Sequence, residues 1–252
     1  MISDLKVLLL AAGLGTRLRP ITDSMPKALV PIAGRPILDY WLELLSDSGV
    51  LPRNILVNLH YRHGAVRAFL NASPAWAQVN SVYEPELQGT AGTMLANRAF
   101  FTGETVLLAH ADNLTLFPMV EFLARHSERP HKSAITMMTF RTDDPQSCGI
   151  VELDDAGIVT AFHEKKANPP GNMANGAVYL LEREVIDSLA ELPGPIRDFS
   201  LDVIPRYLGR VQTFENSIYH RDIGNPSSLA LAEADFPECY ERFRRMVSVG
   251  EL

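Results

Sequence analysis

The first residues that could do chemistry form a glycine-rich segment directly after an apolar run. Residues 10–20 read Leu-Ala-Ala-Gly-Leu-Gly-Thr-Arg-Leu-Arg-Pro. Gly13 and Gly15 carry no side chain where backbone would approach a ligand closely, and glycine also permits positive φ. Successive backbone N–H groups in such a turn can hold phosphate oxygens, and Arg17 and Arg19 add charge that suits phosphate. Two glycines after a strand are equally consistent with a tight turn, so this loop alone does not decide the function.

The residues that follow the loop favour the phosphate interpretation. The spacing is not that of the dinucleotide fingerprint, and no Gly-Lys-Ser/Thr of an ATPase loop is present. Lys27 lies between Pro26 and an apolar run, in surroundings that an ordinary surface lysine does not require. Further along, Asp112 follows the predicted strand Val106–Ala109, where an α/β sheet opens its ligand crevice and a carboxylate could hold Mg²⁺. The alternative for Asp112 is a turn or a helix N-cap.

Residues 10–38 as a whole resemble the signature of the sugar-phosphate nucleotidylyltransferases, L-A-A-G-x-G-T-R-L-x-P-x-T-x-x-x-P-K-x-L-x-P-I-x-G-x-P-I-L. The resemblance implies that Arg17 and Lys27 are catalytic and contact phosphates of the reacting pair. It also implies that nucleotide-binding residues of this loop are Leu10, Ala12, Gly13, Gly15 and Thr16.

A second motif resembles the family's L-G-T-A-G, which lies against the nucleobase. It reads Glu84-Pro-Glu-Leu-Gln-Gly-Thr-Ala-Gly and leads into a predicted helix. The resemblance assigns Gly89 and Thr90 to the nucleotide, although a plain strand–turn–helix connection would read similarly. Glu84 or Glu86 could accept both N–H groups on the edge of guanine, whereas uracil and thymine offer one. This favours GTP.

Two later motifs point to a sugar phosphate. Phe162–Lys166 resembles F-x-E-K-P, which implies that Glu164 accepts sugar hydroxyls and Lys165 holds the sugar phosphate. The segment Asn175-Gly-Ala-Val-Tyr resembles N-A-G-I-Y, which implies that Asn175 binds the sugar. Lys166 replaces the family's Pro, and the Gly and Ala after Asn175 are exchanged, so both loops depart from the pattern.

The last motif completes the metal site that the resemblance implies. His220-Arg-Asp-Ile-Gly-Asn-Pro resembles W-x-D-I-G-T-P, so Asp222 would join Asp112 in binding Mg²⁺. The family has Gly-Asp-Asn around the first aspartate, where this chain has Ala111. His110 receives no catalytic role, and His220 stands where Trp is common.

Composition limits the remaining possibilities. The chain has 252 residues and a formal net charge of −7, which argues against a general nucleic-acid binder. Cys148 and Cys239 are far apart in the sequence, so no disulfide scaffold is expected. The expected location is the reducing cytoplasm. The apolar run Val7–Ala12 is too short to span a membrane and lacks a signal-peptide pattern. Expected partners are an NTP and a sugar 1-phosphate, with no nucleic acid and no membrane; the family often forms homo-oligomers.

Short apolar runs alternate with amphipathic segments, which predicts an α/β fold. We expect a Rossmann-like three-layer sandwich, with a mainly parallel mixed central sheet and a smaller acceptor-binding lobe. Predicted strands are Lys6–Leu10, Ile55–Leu59, Val79–Tyr83, Val106–Ala109, Ala134–Phe140, Gly149–Leu153, Ile158–His163 and Ala177–Leu181. Helical patterns cover Ile37–Ser48, His63–Leu70, Thr90–Ala99, Phe117–His126, Phe199–Leu208 and Pro237–Val249. Within a single domain, 1–252, these predict a nucleotide half at about 1–140, a sugar-phosphate half at about 141–236 and a C-terminal helix at 237–252.

Taken together, these features predict Mg²⁺-dependent transfer of a nucleotidyl group from an NTP to a sugar 1-phosphate. GTP with a mannose- or heptose-type phosphate is favoured over UTP or dTTP. A cytidylyltransferase for a non-sugar phosphate shares the first motif but not the sugar motifs. A non-catalytic regulatory homologue would have been indicated by loss of Arg17, Lys27, Asp112 or Asp222, and a glycosyltransferase by an Asp-x-Asp motif at His110.

Overall fold

The computed structural model describes residues 2–191 and 198–250, which fall into two compact units. The first unit contains the chain up to Leu87, His110–Glu121 and the chain from Ile218. The second contains Gln88–Ala109 and Phe122–Ser217. Each unit is therefore built from separate stretches of sequence. The predicted division into halves near residue 140 stays a prediction.

Strands and helices alternate along the chain. The strands are β1 (Lys6–Leu10), β2 (Pro31–Ile32), β3 (Arg35–Pro36), β4 (Ile55–Leu59), β5 (Asn80–Tyr83), β6 (Thr105–His110), β7 (Asn113–Leu116), β8 (Ile135–Arg141), β9 (Gly149–Leu153), β10 (Val159–Glu164), β11 (Met173–Glu182), β12 (Val211–Glu215) and β13 (Tyr219–Asp222). The helices are α1 (Ile21–Ser24), α2 (Ile37–Asp47), α3 (His63–Ala72), α4 (Thr90–Ala96), α5 (Met119–Ser127), α6 (Arg183–Leu189) and α7 (Pro226–Ser248).

The first unit is organised around three parallel strands. β1 pairs with β4, and β4 pairs with β5, all in parallel. The apolar runs of β1 and β4 are almost completely buried, as expected for parallel strands that are covered on both faces. The helix α2 contributes a broad buried face that includes Trp41. Because the carboxyl ends of parallel strands lie at one edge, the loops after β1, β4 and β5 are brought together there.

The second unit is organised around β11, which is antiparallel to its neighbours. β11 pairs with β6, β8 and β9, and β10 extends the sheet beyond β9. β12 pairs in parallel with β8. Parallel and antiparallel pairs therefore coexist. The predicted fold class, α/β with a mixed central sheet and flanking helices, is confirmed.

Most predicted elements correspond to an observed element whose ends are shifted by a few residues, and the C-terminal helix is the clearest exception. The sequence pattern predicts a helix from Pro237. The structure instead begins α7 at Pro226, where the side chain of Asn225 caps the N-terminus in a reciprocal pair with Ser228. Pro237 lies inside the helix. The final residues of the predicted helix, 251 and 252, lie outside the described residues.

The segment Phe199–Leu208 also differs from the single helix that its pattern predicts. It forms a π-helical turn over Phe199–Val203, followed by a 3₁₀ turn over Ile204–Tyr207. Pro205 has no N–H with which to continue an α-helical ladder, so the segment divides near it. Across residues 2–191 and 198–250, no helix combines the length and the apolar character needed to cross a membrane. Both cysteines are free thiols.

Candidate active site

The glycine-rich loop after β1 folds back on Thr22. Gly15 is in the left-handed region at φ 64°, and the buried Thr22 hydroxyl donates to the Gly15 carbonyl at 2.7 Å. A Cβ added at Gly15 would lie 2.9 Å from the Thr22 methyl carbon. At Gly13, by contrast, an added Cβ would meet nothing within 4 Å. The loop is thus tightly packed on one side and open at Gly13, where a ligand could approach its backbone.

The start of this loop is held by a buried polar chain from the neighbouring strands. The Ala11 N–H donates to Asn58 Oδ1 at 2.7 Å, and Asn58 Nδ2 donates to Glu84 Oε1 at 3.1 Å. Asn58 and Glu84 are 3% and 2% exposed. Sequence analysis did not identify Asn58, although a single polar residue within the apolar strand Ile-Leu-Val-Asn-Leu was the available signal.

Three of the predicted residues meet at one point in the first unit. Lys27 Nζ lies 2.6 Å from Asp112 Oδ2 and 3.0 Å from Asp222 Oδ1. Asp112 immediately precedes β7 and Asp222 ends β13, and these two strands pair so that Asp222 lies opposite Asn113. The Ile223 N–H also donates to the Asp112 carbonyl. The pairing of β7 with β13 therefore brings together two carboxylates that are far apart in sequence.

The electrostatics of this cluster favour the charged forms of Lys27 and Asp112. Burial alone would lower the pKa of Lys27, but Asp112 and Asp222 outweigh it and hold the pKa above its ordinary value. Burial alone would raise the pKa of Asp112, but Lys27, with His110 adding to it, holds that pKa below its ordinary value. The ammonium is 8% exposed, whereas Asp222 is 55% exposed and accessible to a ligand.

Two departures from the family pattern, Ala111 and His220, lie near this cluster. Ala111 is fully buried, and its N–H donates to the Leu10 carbonyl at 3.0 Å. Burial lowers the pKa of His220 to about 3, so its ring is neutral at pH 7. A neutral aromatic ring therefore stands where the family commonly has Trp.

Arg17 reaches the same cluster through a gap left by Gly224. A Cβ added at Gly224 would lie 2.8 Å from Asp222 Oδ2 and 3.1 Å from a terminal guanidinium nitrogen of Arg17. Arg17 itself is exposed, so its charge is available to a ligand. Arg19, by comparison, pairs with Asp23 at 3.2 Å. Sequence analysis did not single out Gly224, although its place two residues after Asp222 was a signal.

Replacing Gly224 by alanine is expected to lower kcat of the predicted nucleotidyl transfer by about 10-fold, since a misplacement near 1 Å can cost up to about 10²-fold. The added methyl group would push apart the Asp222 carboxylate and the Arg17 guanidinium. Pyrophosphate release measures the effect, and Gly64→Ala is the control, because a Cβ at Gly64 meets nothing within 4 Å. Equal rates in both variants would show that the close approach at Gly224 is unimportant.

The entry to α4 connects two parts of the second unit. Gly89 precedes α4 with φ 76°, and its carbonyl accepts from the Thr93 N–H. The Thr90 hydroxyl accepts from the Phe199 N–H at 2.6 Å. Thr90 thus has a structural partner, and contact with a nucleobase stays a prediction for both Gly89 and Thr90.

Glu164 and Lys165 are adjacent at the end of β10. Glu164 lies opposite Gly149 in the β9–β10 pair, and a Cβ at Gly149 would come within 2.6 Å of both Glu164 Oε2 and the Phe162 ring. Lys165 has φ 47°, and its N–H donates to the Cys148 carbonyl at 3.1 Å. Its exposed ammonium lies 3.4 Å from Glu164 Oε1. Gly149, which sequence analysis did not identify, makes room for the Glu164 carboxylate.

Asn175 lies at an irregularity in β11. The register of the β11–β8 pair shifts between Asn175 and Tyr179. Asn175 Nδ2 donates to the Tyr179 hydroxyl at 2.6 Å, and Asn175 Oδ1 accepts from the Ala177 N–H at 2.9 Å. Burial raises the pKa of Tyr179 to about 12, so its hydroxyl stays protonated. Asn175 is therefore rigidly held in an orientation set by its own strand.

The exchange of Gly and Ala in this motif has a conformational cost. Ala177 has φ 52°, a region that costs a residue with a Cβ roughly 1–2 kcal/mol. Replacing Ala177 by glycine is expected to raise the free energy of unfolding by about 0.5–1 kcal/mol, after the larger entropy loss of glycine is subtracted. Urea denaturation measures the change. Ala161→Gly, in β10 without positive φ, should lower stability instead; a loss of stability in both would contradict the argument.

Comparison with known proteins identifies the class to which this fold and site belong. The family model described as Nucleotidyl transferase matches residues 6–238. Because the match covers most of the sequence, the chain belongs to this family.

Individual relatives differ in the nucleotide that their names specify. The chain is 29% identical over 231 residues to the Mannose-1-phosphate guanylyltransferase of Mycobacterium tuberculosis, covering 90% of this chain and 63% of that protein. It is 32% identical over 188 residues to the Glucose-1-phosphate thymidylyltransferase of Streptomyces griseus, covering 75% and 52%. The chain thus spans less than two thirds of the length of these relatives. The crystal structure of HddC from Yersinia pseudotuberculosis complexed with GMP-PN superposes with a TM-score of 0.77 at 25% identity, covering 92% of this chain and 99% of that one.

Proposed function

We propose that the protein is a sugar-1-phosphate nucleotidylyltransferase, which transfers a nucleotidyl group from an NTP to a sugar 1-phosphate and releases pyrophosphate. The observation that carries the proposal is the cluster of Lys27, Asp112 and Asp222, with Arg17 reaching it through the gap at Gly224. Cations and carboxylates assembled beside an open glycine-rich loop suit a polyphosphate and its metal. Membership of the nucleotidyl transferase family supports the same reaction class.

The carboxylate pair fits a divalent cation of the Mg²⁺ type. Both side chains offer oxygen atoms, and both already lie within 3.0 Å of a single positive charge, the Lys27 ammonium. Among residues 2–191 and 198–250 no group of three or more His, Cys, Asp or Glu is arranged to hold a metal. Two carboxylates, Asp112 and Asp222, are still enough for Mg²⁺, which is commonly held by one or two carboxylates together with water and substrate phosphates. When bound, Mg²⁺ would neutralise charge on the phosphates.

The reaction follows from the charges that these residues supply. An oxygen of the sugar phosphate forms a bond to the α-phosphorus, and the bond from that phosphorus to the leaving pyrophosphate breaks. The attacking oxygen is already ionised at neutral pH, so no general base is needed. Arg17 stabilises charge on the pyrophosphate, and Lys27 stabilises charge at the α-phosphate, so that catalysis is by positioning and electrostatics.

The second unit would hold the acceptor. Glu164 is partly exposed and carries a carboxylate that can accept sugar hydroxyls, while the Lys165 ammonium is 66% exposed and free to meet a phosphate. β10 ends at Glu164, and the chain turns at Lys165, whose backbone is in the left-handed region. Asn175, held by Tyr179, offers a fixed amide for the sugar ring.

For the base and the sugar, we propose GTP with a mannose- or heptose-type 1-phosphate. Of the two carboxylates before α4, Glu84 is buried against Asn58, whereas Glu86 is exposed and is the better candidate for the edge of guanine. The Mycobacterium tuberculosis relative and the GMP-PN complex of HddC support a guanine nucleotide. The Streptomyces griseus relative supports dTTP as the second candidate.

The test is pyrophosphate release from a panel of nucleotides and acceptors. GTP, dTTP, UTP and CTP are each paired with mannose 1-phosphate, glucose 1-phosphate, a heptose 1-phosphate and phosphocholine. We expect release with GTP and a mannose- or heptose-type phosphate. Release only with CTP and phosphocholine would replace the proposal by the cytidylyltransferase alternative, and no release with any pair would contradict catalysis.

A further inference from the structure

The lysine of the carboxylate cluster has a position that catalysis alone does not explain. Lys27 is catalytic in the proposed reaction because it meets a phosphate, yet its ammonium lies between Asp112 Oδ2 and Asp222 Oδ1. These carboxylates are also the groups proposed to hold the divalent cation. An ammonium and a metal ion cannot both occupy the space between the two carboxylates, and they repel each other at such distances.

The stem of Lys27 is fixed, while its head can change partners. A Cβ at Gly15 would lie 3.2 Å from Lys27 Cβ, and the Val30 N–H donates to the Lys27 carbonyl, so the backbone and the start of the side chain are tightly packed. Beyond Cβ the side chain is a flexible chain with a compact charge and rotatable donors. Asp222 is 55% exposed, so the cluster is open to solvent on that side. A small movement of the ammonium is therefore feasible without unfolding the loop.

Charge balance indicates what the lysine does before substrate arrives. Two carboxylates that share one site repel each other unless a cation lies between them. Lys27 is the cation that lies between them, whereas the Arg17 guanidinium lies on the Gly224 side, near Asp222.

We propose that Lys27 and the divalent cation are alternative partners of Asp112 and Asp222, an inference that rests on the proposed function. In the free protein, Lys27 acts as the counterion of the pair. Entry of the cation displaces the ammonium, which then bonds to the phosphates of the nucleotide that arrives with the metal. Metal binding and nucleotide binding are thereby coupled, because the nucleotide provides the displaced ammonium with new anionic partners.

The test measures Mn²⁺ binding to the full chain by electron paramagnetic resonance, without nucleotide or sugar phosphate. Lys27→Met keeps most of the side-chain volume and removes the competing charge. It is expected to bind Mn²⁺ at least about tenfold more tightly than the wild type, because the repulsion between like charges is lost. Lys132→Met is the matched control: Lys132 is exposed, so the same change of net charge should leave the affinity within about twofold of the wild type. Equal or weaker Mn²⁺ binding by Lys27→Met would overturn the proposal.

A second measurement guards against a variant that folds poorly. Without metal, the Tm of Lys27→Met should lie below that of the wild type, because the two carboxylates face each other without the ammonium between them. Mn²⁺ should raise that Tm by more than it raises the wild-type Tm, and an equal or smaller rise would contradict the exchange. Lys27→Gln, which keeps hydrogen-bond donors without the charge, should bind Mn²⁺ as tightly as Lys27→Met.

The outcome is independent of the reaction. Wild-type Mn²⁺ affinity in Lys27→Met, with pyrophosphate release intact in the wild type, would reject the exchange and leave the proposed function standing. Tighter Mn²⁺ binding, with no release by the wild type from any substrate pair, would support the exchange and reject the function.

Discussion

Replacing Arg17 by alanine is expected to slow nucleotidyl transfer by about 10³-fold, the scale of an arginine that stabilises a transferring phosphoryl group. The guanidinium is exposed beside Asp222 and reaches that position through the space at Gly224. It has a planar set of donors that can bind two phosphate oxygens at once. Because the leaving pyrophosphate gains charge as its bond to the α-phosphorus breaks, this interaction strengthens in the transition state.

The effect should appear in kcat, measured by pyrophosphate release at saturating substrate. Circular dichroism should show an unchanged Tm, since the side chain is exposed. Arg53→Ala is the control: Arg53 is also exposed and lies in the turn before β4, at the opposite end of that strand from the site. Near-normal turnover in Arg17→Ala would remove Arg17 from the catalytic role.

Replacing Asp112 by asparagine is expected to lower kcat by at least about 100-fold and to raise the Mg²⁺ concentration needed for half-maximal rate, as for loss of a metal ligand that neutralises developing charge. The amide keeps the shape of the side chain but loses the charge that attracts the cation. Asp112 is the less exposed of the two carboxylates, at 28% against 55% for Asp222. Asp222→Asn should therefore lower kcat and raise the required Mg²⁺ concentration by smaller factors, because solvent screens the more exposed group.

Rates measured over a Mg²⁺ titration check both variants. Asp155→Asn serves as a control for the loss of one negative charge, since Asp155 is exposed in the turn between β9 and β10. An unchanged Mg²⁺ titration in Asp112→Asn would exclude it as a ligand. If Asp222→Asn had the larger effect, the ranking by exposure would be wrong.

Helices and strands were predictable where the pattern of apolar residues in the sequence matches the residues that are buried in the structure. Lys6–Leu10, Ile55–Leu59 and Gly149–Leu153 are strands with the predicted bounds, because each is a short and mainly apolar run. The start of the C-terminal helix was predicted wrongly, at Pro237 instead of Pro226. Only the reciprocal cap between Asn225 and Ser228 decides in favour of Pro226.

The site was predictable in its residue types but not in its contacts. The motifs predicted Lys27, Asp112 and Asp222 as charged groups for phosphate and metal. They did not indicate that the ammonium lies between the carboxylates, because that contact joins positions that are 85 and 195 residues apart. Likewise, the sequence proposed Glu84 or Glu86 for the edge of the base, and it did not indicate that the Glu84 carboxylate accepts from Asn58.

The sequence by itself determined the α/β class, the order of the motifs and the family to which they belong, since each depends on local pattern and residue type. The tertiary structure decided which of those residues meet. The pairing of β7 with β13 brings Asp222 to Asp112 and so creates the charge that Lys27 neutralises. Likewise, Gly224 and Gly149 are needed only because side chains from other parts of the chain pack closely against them in the folded protein. Contacts of this kind follow from packing many residues at once, and no local pattern specifies them.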